Sequence, residues 1–357
     1  MAETAAHLVD HVLPHKNIRQ WVLTFPVPIR LCLAVRPKVM ARALEISHLV
    51  TSQYYRKKAG LNAKNSKSGA VTLIQRFGGS LNLNIHFHQL FVDGCYELSD
   101  KNEPIDFWVA SSPTIKEIEE VLTKIIQKIT KYLERQKIII KDDNDGGFQI
   151  PIPDEDTLSK LQAGSVTYRF ATGKSKGKKA IVLKSVTDTD HSATKGLVAK
   201  NSGFSLHAGV ATKAHERDKL EKICRYIARP AVSEERLSTD DCGNVIYRFK
   251  KPWDDGTTAL KLTPMELMER LVALVPRPRV HLTRYHGVLG PHYKHRKQIV
   301  PKPPELKIVQ AQEVIEPKQL ELKKKNIPWA RLLARVFNID VETCIKCGGK
   351  MKIIAAI

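Results

Sequence analysis

Apolar and polar residues alternate along Leu81-Asn82-Leu83-Asn84-Ile85-His86-Phe87-His88-Gln89-Leu90-Phe91-Val92, the period of a strand whose two faces meet different surroundings. Leu83, Ile85, Phe87 and Phe91 fall on one face. Asn82, Asn84, His86 and His88 fall on the other, so the pattern predicts a strand lying on a core with two imidazoles aimed the same way. Ala70 to Phe77 reads as the antiparallel partner across Gly78-Gly79-Ser80. With Phe77 opposite Asn82, Gln75 falls opposite Asn84, on the polar face and diagonal to His86. Arg19 to Phe25 predicts a further strand, ended by Pro26 and Pro28. Phe204 to Val210 predicts a short strand carrying His207, and Val166 to Ala171 with Ala180 to Ser185 a second hairpin.

Apolar residues three and four apart predict helices over Pro37 to about Lys58, from Ser112-Pro113 through Leu133, over Ala214 to Arg229, from Thr263-Pro264 through Leu274, and over Trp329 to Phe337. Gly60 to Gly69 reads as a polar loop. Lys141 to about Gly164 reads as an acidic, solvated linker. The fold class is therefore α+β, an antiparallel sheet with flanking helices. The organisation expected is a leader over 1–16, a catalytic domain over 17–290, a Pro- and Lys-rich linker over 291–327, and a short helix with a Cys pair over 328–357.

Composition narrows the chemistry. With 357 residues and 42% hydrophobic positions the chain supports a substantial core. Its 58 Lys and Arg against 37 Asp and Glu leave a net charge of +21, which favours a polyanionic partner, with nucleic acid leading. Nowhere does the chain carry the roughly 18 consecutive apolar residues of a membrane span, and Met1-Ala2-Glu3 opens no signal peptide. A soluble cytoplasmic protein is expected. Six cysteines are too few for a disulfide framework, and only Cys344 and Cys347 have ligand spacing. They form half of a zinc knuckle, so zinc there is not expected.

A His-x-His pair on a strand suits a divalent ion, with Gln75 as third ligand, although such a pair also occurs as an incidental strand rim. The Ala214 to Arg229 segment bears on that choice. Leu220, Ile223, Cys224 and Ile227 form its apolar stripe, and Tyr226 lies at the edge of the stripe, one turn beyond Lys222. A neutral phenol is a weak nucleophile, but neighbouring cations favour the phenolate and a divalent ion polarises a phosphate. Lys174, Lys176 and Lys178 crowd one turn, and Arg277, Arg279 and Arg284 interleave with Tyr285 and Tyr293. Such mixtures suit single-stranded DNA, where charge follows the backbone and rings stack on bases.

These residues resemble the transposases of the rolling-circle insertion sequences, including those with common regions, within the HUH endonuclease superfamily (U, a hydrophobic residue). Ile85-His86-Phe87-His88 is similar to its namesake motif. The resemblance continues through Gln75-Arg76-Phe77-Gly78, Gly203-Phe204-Ser205-Leu206-His207, Cys224-Arg225-Tyr226-Ile227-Ala228-Arg229-Pro230, Pro252-Trp253-Asp254-Asp255-Gly256-Thr257-Thr258 and Val275-Pro276-Arg277-Pro278-Arg279. It implies that His86 and His88 bind Mg²⁺ or Mn²⁺, with Mn²⁺ suiting imidazoles better. It also implies that Tyr226 attacks a DNA phosphate, leaving a phosphotyrosine and a free 3′ hydroxyl. His207 and Lys222 are then expected nearby, and Arg225 and Arg229 on the DNA. Many relatives carry a second tyrosine where Lys222 stands, so a single-tyrosine scheme is expected. Relatives also begin with a cysteine-rich zinc module, so this chain reads as a shortened copy. The competing classes are a DNA-binding protein without catalysis and a small-molecule metallohydrolase.

Overall fold

The computed structural model describes residues 1–101, 103–141, 148–151, 156–184, 196–253, 255–301, 329–344 and 347–351. In chain order its elements are α1 (Ala2–His11), β1 (Ile18–Thr24), α2 (Val27–Val35), α3 (Pro37–Lys58), β2 (Ser66–Lys67), β3 (Gly69–Phe77), β4 (Leu83–Val92), β5 (Gly94–Leu98) and β6 (Pro104–Val109). There follow α4 (Ile115–Arg135), β7 (Ile140–Lys141), β8 (Phe148–Gln149), α5 (Thr157–Val166), β9 (Ile181–Lys184), β10 (Val198–Asn201), β11 (Phe204–Thr212) and α6 (Arg217–Ile227). The last are β12 (Leu237–Thr239), β13 (Val245–Arg248), β14 (Thr257–Leu262), α7 (Pro264–Leu274), β15 (Thr283–Gly287), α8 (Arg296–Ile299) and α9 (Trp329–Phe337). The α+β class with antiparallel sheets holds.

The main sheet has six strands in the order β10-β11-β1-β4-β3-β15, antiparallel throughout. Its two faces carry separate cores, as alternation requires. Trp21, Leu23, Ile74, Leu83, Ile85, Phe87, Phe91 and Leu206 face one way and pack under α2, α3 and α4. On the other face Ile18, Val71, Leu73, Leu90 and Val92 pack under α1 and α6, through Leu8 and Val9 of α1 and Leu220, Cys224 and Ile227 of α6. The segment expected as a leader thus supplies part of the second core. At the β10–β11 turn Ser202 and Gly203 both have positive φ, 49° and 76°, which matches the strand twist of a two-residue hairpin.

Several local expectations change. The β3–β4 hairpin forms, but Phe77 pairs with Leu83 and Gln75 with His86, across a bulge between Gln75 and Phe77. Leu81 takes φ 55° in the turn, which accommodates the extra residue. At Gln75 the register differs by two residues from the expected one, so the face is kept. The helix expected from Ser112 starts at Ile115, where Thr114 and Glu117 form a reciprocal capping box.

Part of the acidic stretch expected as linker is α5. Asp156 caps it by accepting from the Ser159 N–H at 2.6 Å, and Leu161 and Val166 bury its inner side. Of the hairpin expected from 166–171 and 180–185, only an isolated antiparallel bridge between Arg169 and Lys179 is present among the described residues, with the Phe170 N–H donating to the Lys178 carbonyl at 3.0 Å. Instead β9 pairs with β14 in a second sheet, β12-β13-β14-β9. Pro28 lies in the first turn of α2 rather than ending a strand, where its missing N–H costs nothing. Part of the basic segment expected to grip DNA is β15, an edge strand of the main sheet on β3.

On the face covered by α2, α3 and α4, His48 stacks between Phe91 and His286, with ring centroids 5.4 and 4.6 Å away. Burial pushes His48 down to about 3, and burial with Arg284 nearby pushes His286 down to about 4. Both stay neutral in the fold and take up protons only when it opens. The unfolded chain therefore binds more protons between pH 6.5 and 4, and stability falls as pH drops through that window, by up to about 1.4 kcal/mol per pH unit for each ring. Replacing His48 with Phe keeps the stack and removes one titration. Chemical denaturation across pH 4 to 7 is expected to give a shallower slope for H48F than for the parent, and equal slopes would assign the acid sensitivity elsewhere.

Candidate active site

His86 and His88 lie on β4, the strand between β1 and β3, and their rings are 4.9 Å apart between centroids. Beneath them the sheet face is apolar where α1 and α6 cover it. Beyond Leu90 it turns polar, with Gln75 opposite His86, and with Thr24 opposite His86 and Val22 opposite His88 on β1. Thr24 and Ser205 share a 2.6 Å hydroxyl hydrogen bond on the same level.

The imidazoles are held from behind. His86 Nδ1 is 2.8 Å from the Asn84 carbonyl, to which it donates, so its Nε2 keeps the lone pair. His88 Nδ1 is 2.8 Å from the Gln20 side-chain amide. With the amide nitrogen facing it, Nδ1 accepts and the ring proton sits on Nε2; a half turn of the amide presents its oxygen instead, moves the proton to Nδ1 and frees the Nε2 lone pair. His88 Nε2 is buried and has no partner among the described residues. Burial, reinforced by His86 and Arg229, pushes His88 down to about 3. Burial also lowers His86, against the opposing Asn84 hydrogen bond and with Arg30 and Arg229 adding to the lowering. Both rings are therefore neutral at ordinary pH, the form that ligates a metal.

The tyrosine helix ends on the same face. Gln75 Nε2 donates to the Ile227 carbonyl at 3.2 Å, satisfying one of the carbonyls that a helix end leaves open. Gln75 is the strand partner of His86, so this bond fixes the end of α6 beside the imidazole row. Tyr226, one residue earlier, is 50% exposed. The Arg229 guanidinium lies 4.5 Å from its ring centroid and the Lys250 ammonium 6.0 Å. Arg229 also approaches the Phe77 ring at 5.9 Å, so it sits between the phenol and the strand while acting on both histidines.

The other expected residues scatter. His207 is the β11 partner of Val22, in the row of His88 but two strands from it, and burial lowers its pKa. Lys222 is exposed, one turn before Tyr226. Arg225 pairs with Glu221 at 3.6 Å. Arg277 is engaged by Asp156 at 2.7 Å and the Ser159 hydroxyl at 2.8 Å, so it braces α5. Arg279 takes φ 62°, and Arg284 lies on β15 opposite Thr72. Lys174, Lys176 and Lys178 are exposed on a turn next to Thr172, whose hydroxyl donates to Glu269 of α7 at 2.7 Å. Beside Cys344 and Cys347, the Gly348 N–H donates to the Cys344 carbonyl at 2.8 Å. No group of three or more His, Cys, Asp or Glu side chains able to hold a metal occurs among the described residues.

Sequence patterns passed over Gln20 and Lys250. Gln20 was visible only as a polar residue in an apolar strand, and its meaning depends on β1 lying beside β4. Lys250 precedes the Pro252-Trp253 motif, which builds the β13–β14 turn through the Gly256 N–H to Trp253 carbonyl hydrogen bond at 2.9 Å. There Trp253 stacks on Phe249 at 5.1 Å and 26°.

Two neutral, braced imidazoles can hold a cation, and a half-exposed phenol beside a guanidinium can meet an anion. The comparison with known families supplies the class. The model of the family described as "Putative transposase" matches residues 69–297, more than half of the 357-residue chain and a span containing β4, α6 and α7. The chain belongs to that transposase family, which implies DNA as its partner. No curated protein and no solved structure matches it. Among the described residues no helix is long and apolar enough to cross a membrane.

Proposed function

We propose that this transposase nicks and rejoins single-stranded DNA through a covalent phosphotyrosine at Tyr226, in rolling-circle-type transposition. The observation that carries the reading is the Gln75 to Ile227 hydrogen bond of 3.2 Å, which sets the end of the tyrosine helix against the strand partner of His86. The phenol oxygen attacks phosphorus, the bond from phosphorus to the 3′ oxygen breaks, the phenol proton passes to solvent, and the leaving oxygen takes a proton to become a 3′ hydroxyl. Attack of a 3′ hydroxyl on the phosphotyrosine reverses these bond changes and joins a strand.

His86 and His88 would hold Mg²⁺ or Mn²⁺ through Nε2. The amide nitrogen of Gln75 is committed to Ile227, so only its oxygen is left as a third donor. The unpartnered, buried Nε2 of His88 and the neutrality of both rings fit this ion, which would supply charge to polarise the scissile phosphate. Gln20 fixes the tautomer and tilt of His88. Arg229 offers its charge to the phosphate oxygens while its plane keeps the Tyr226 ring in place. The stacked Phe249 and Trp253 and the exposed lysine turn belong to the path of the strand.

The test is adduct formation. The protein is incubated with single-stranded oligonucleotides covering candidate element ends in Mn²⁺, and a species resisting denaturation is mapped by mass spectrometry. Mapping to the peptide containing Tyr226 supports the reading. An adduct at another residue, or none with any strand while binding persists, favours a DNA-binding protein without catalysis. In a second measurement, Gln20→Leu is expected to weaken Mn²⁺ binding roughly 10- to 100-fold by calorimetry, with little change in melting temperature. Unchanged affinity would remove Gln20 from the site.

A further inference from the structure

A second cationic feature lies on the opposite side of the sheet from His86 and His88. The helices α3 and α4 pack side by side over the other core, and their outer surfaces enclose a cleft of about 190 Å³. Its rim carries Arg42 from α3 and Lys128, Lys131 and Arg135 from α4; its floor and side are Ile46, Leu49 and Tyr132. The only carboxylate engaged with these cations by a described salt bridge is Glu45, 2.7 Å from Arg42. The Arg42 guanidinium also lies 6.0 Å from the Tyr132 ring centroid.

Lys128, Lys131 and Arg135 stand three and four residues apart, so they share one face of α4 and span roughly 10 Å along its axis. Arg135 lies in the last turn, where it also offsets the helix dipole. That effect fades within a turn, so it does not account for Lys128 and Lys131.

We propose that this cleft is a second DNA-binding site, holding an unpaired stretch of strand. The three α4 cations follow its phosphates, and one base rests against Tyr132, Ile46 and Leu49. Charge selects the partner: a cationic rim on a chain of net charge +21 belonging to a family that acts on DNA. A partly buried aromatic lining the cleft favours a splayed base over a duplex, whose bases are stacked away. The site stands on family membership and not on the cleavage reading, because it lies across the sheet from Tyr226. A transposase that holds one strand here and another at the imidazoles would keep two segments of its element on one molecule.

The experiment measures anisotropy of a fluorescein-labelled oligo-dT strand with the full chain, in EDTA so that no metal-dependent step contributes, over a series of salt concentrations. The variant K128A/K131A/R135A is compared with K101A/K116A/K200A, which removes the same charge from exposed positions elsewhere. The cleft variant is expected to lower affinity at least about tenfold at low salt and to flatten the slope of log affinity against log salt by about 2, near 0.7 per lost phosphate contact. The control is expected to change the slope by less than half of that. Equal effects in the two variants would overturn the site.

Tyr132→Leu, checked for an unchanged melting temperature, is expected to weaken binding about fivefold or more. Wild-type affinity would overturn the base seat. Displacement of the strand by polyglutamate as readily as by unlabelled oligo-dT of equal charge would overturn the assignment to DNA. A failed adduct assay with these shifts intact removes the cleavage reading alone.

Discussion

Tyr226→Phe is expected to reduce covalent adduct and nicking by more than about a thousandfold, because a ring edge without oxygen has no lone pair to give phosphorus. The rest of the site should hardly register the change. The ring is half exposed, Arg229 lies over its face at 4.5 Å, and no described hydrogen bond involves the phenol oxygen, so stability should move by less than about 0.5 kcal/mol. Binding to single strands should stay within about twofold, since a phenyl face still stacks and still meets Arg229. The measurements are a denaturing gel for the adduct, anisotropy for binding and a melting curve for the fold. Wild-type adduct levels in the Phe variant would assign the nucleophile elsewhere and end the proposal.

The second large effect lies under the site. Arg19 and Asp93 form a two-pronged ion pair, Nε to Oδ1 at 2.9 Å and Nη2 to Oδ2 at 2.8 Å, and both residues are about 5% exposed or less. Tyr55 donates to Asp93 at 2.9 Å, Trp21 donates to Tyr55 at 3.0 Å, and Arg19 Nη1 donates to the Ala208 carbonyl at 3.0 Å. One cluster thus ties β1, α3, β11 and the end of β4. Asp93→Asn leaves the guanidinium buried without its counter-charge, and is expected to cost about 3–5 kcal/mol, which is roughly 10 °C in melting temperature for a chain of this size. Arg19→Met in the same background removes the stranded charge, so R19M/D93N should be more stable than D93N. Lys184→Ala, breaking the exposed pair with Asp255, should cost no more than about 1 kcal/mol. A D93N variant as stable as K184A would mean that water or relaxation compensates the buried charge. Because Arg19 and Gln20 point to opposite faces of β1, loosening this cluster also loosens the hold of Gln20 on His88.

The elements legible in the sequence are the long and strongly periodic ones. The helix expected over Pro37 to about Lys58 is α3 with those bounds, and the strand from Leu81 to Val92 is β4 less its first two residues. The tyrosine helix was expected over Ala214 to Arg229 but stops at Ile227, where Gln75 takes its carbonyl. Short elements were hidden by residues with two uses. Pro28 reads as a strand end but opens α2, and Asp156 reads as part of a solvated acidic run but caps α5. The strands β12, β13 and β14 were passed over because they are brief and meet only each other and β9.

Period two put His86 and His88 on one face, and the apolar stripe of α6 put Tyr226 at its edge. Those are local facts, set by the geometry of a strand and of a helix, and the sequence by itself determined them together with the excess of positive charge. That Gln20 reaches His88, that Gln75 lies opposite His86 and holds Ile227, and that Arg229 meets Phe77 of β3 and acts on both histidines are relations between residues far apart in the chain. Only the tertiary structure decided them, because they follow from strand order, register and the side of the sheet on which a helix returns. None of these is written in the residues flanking each position.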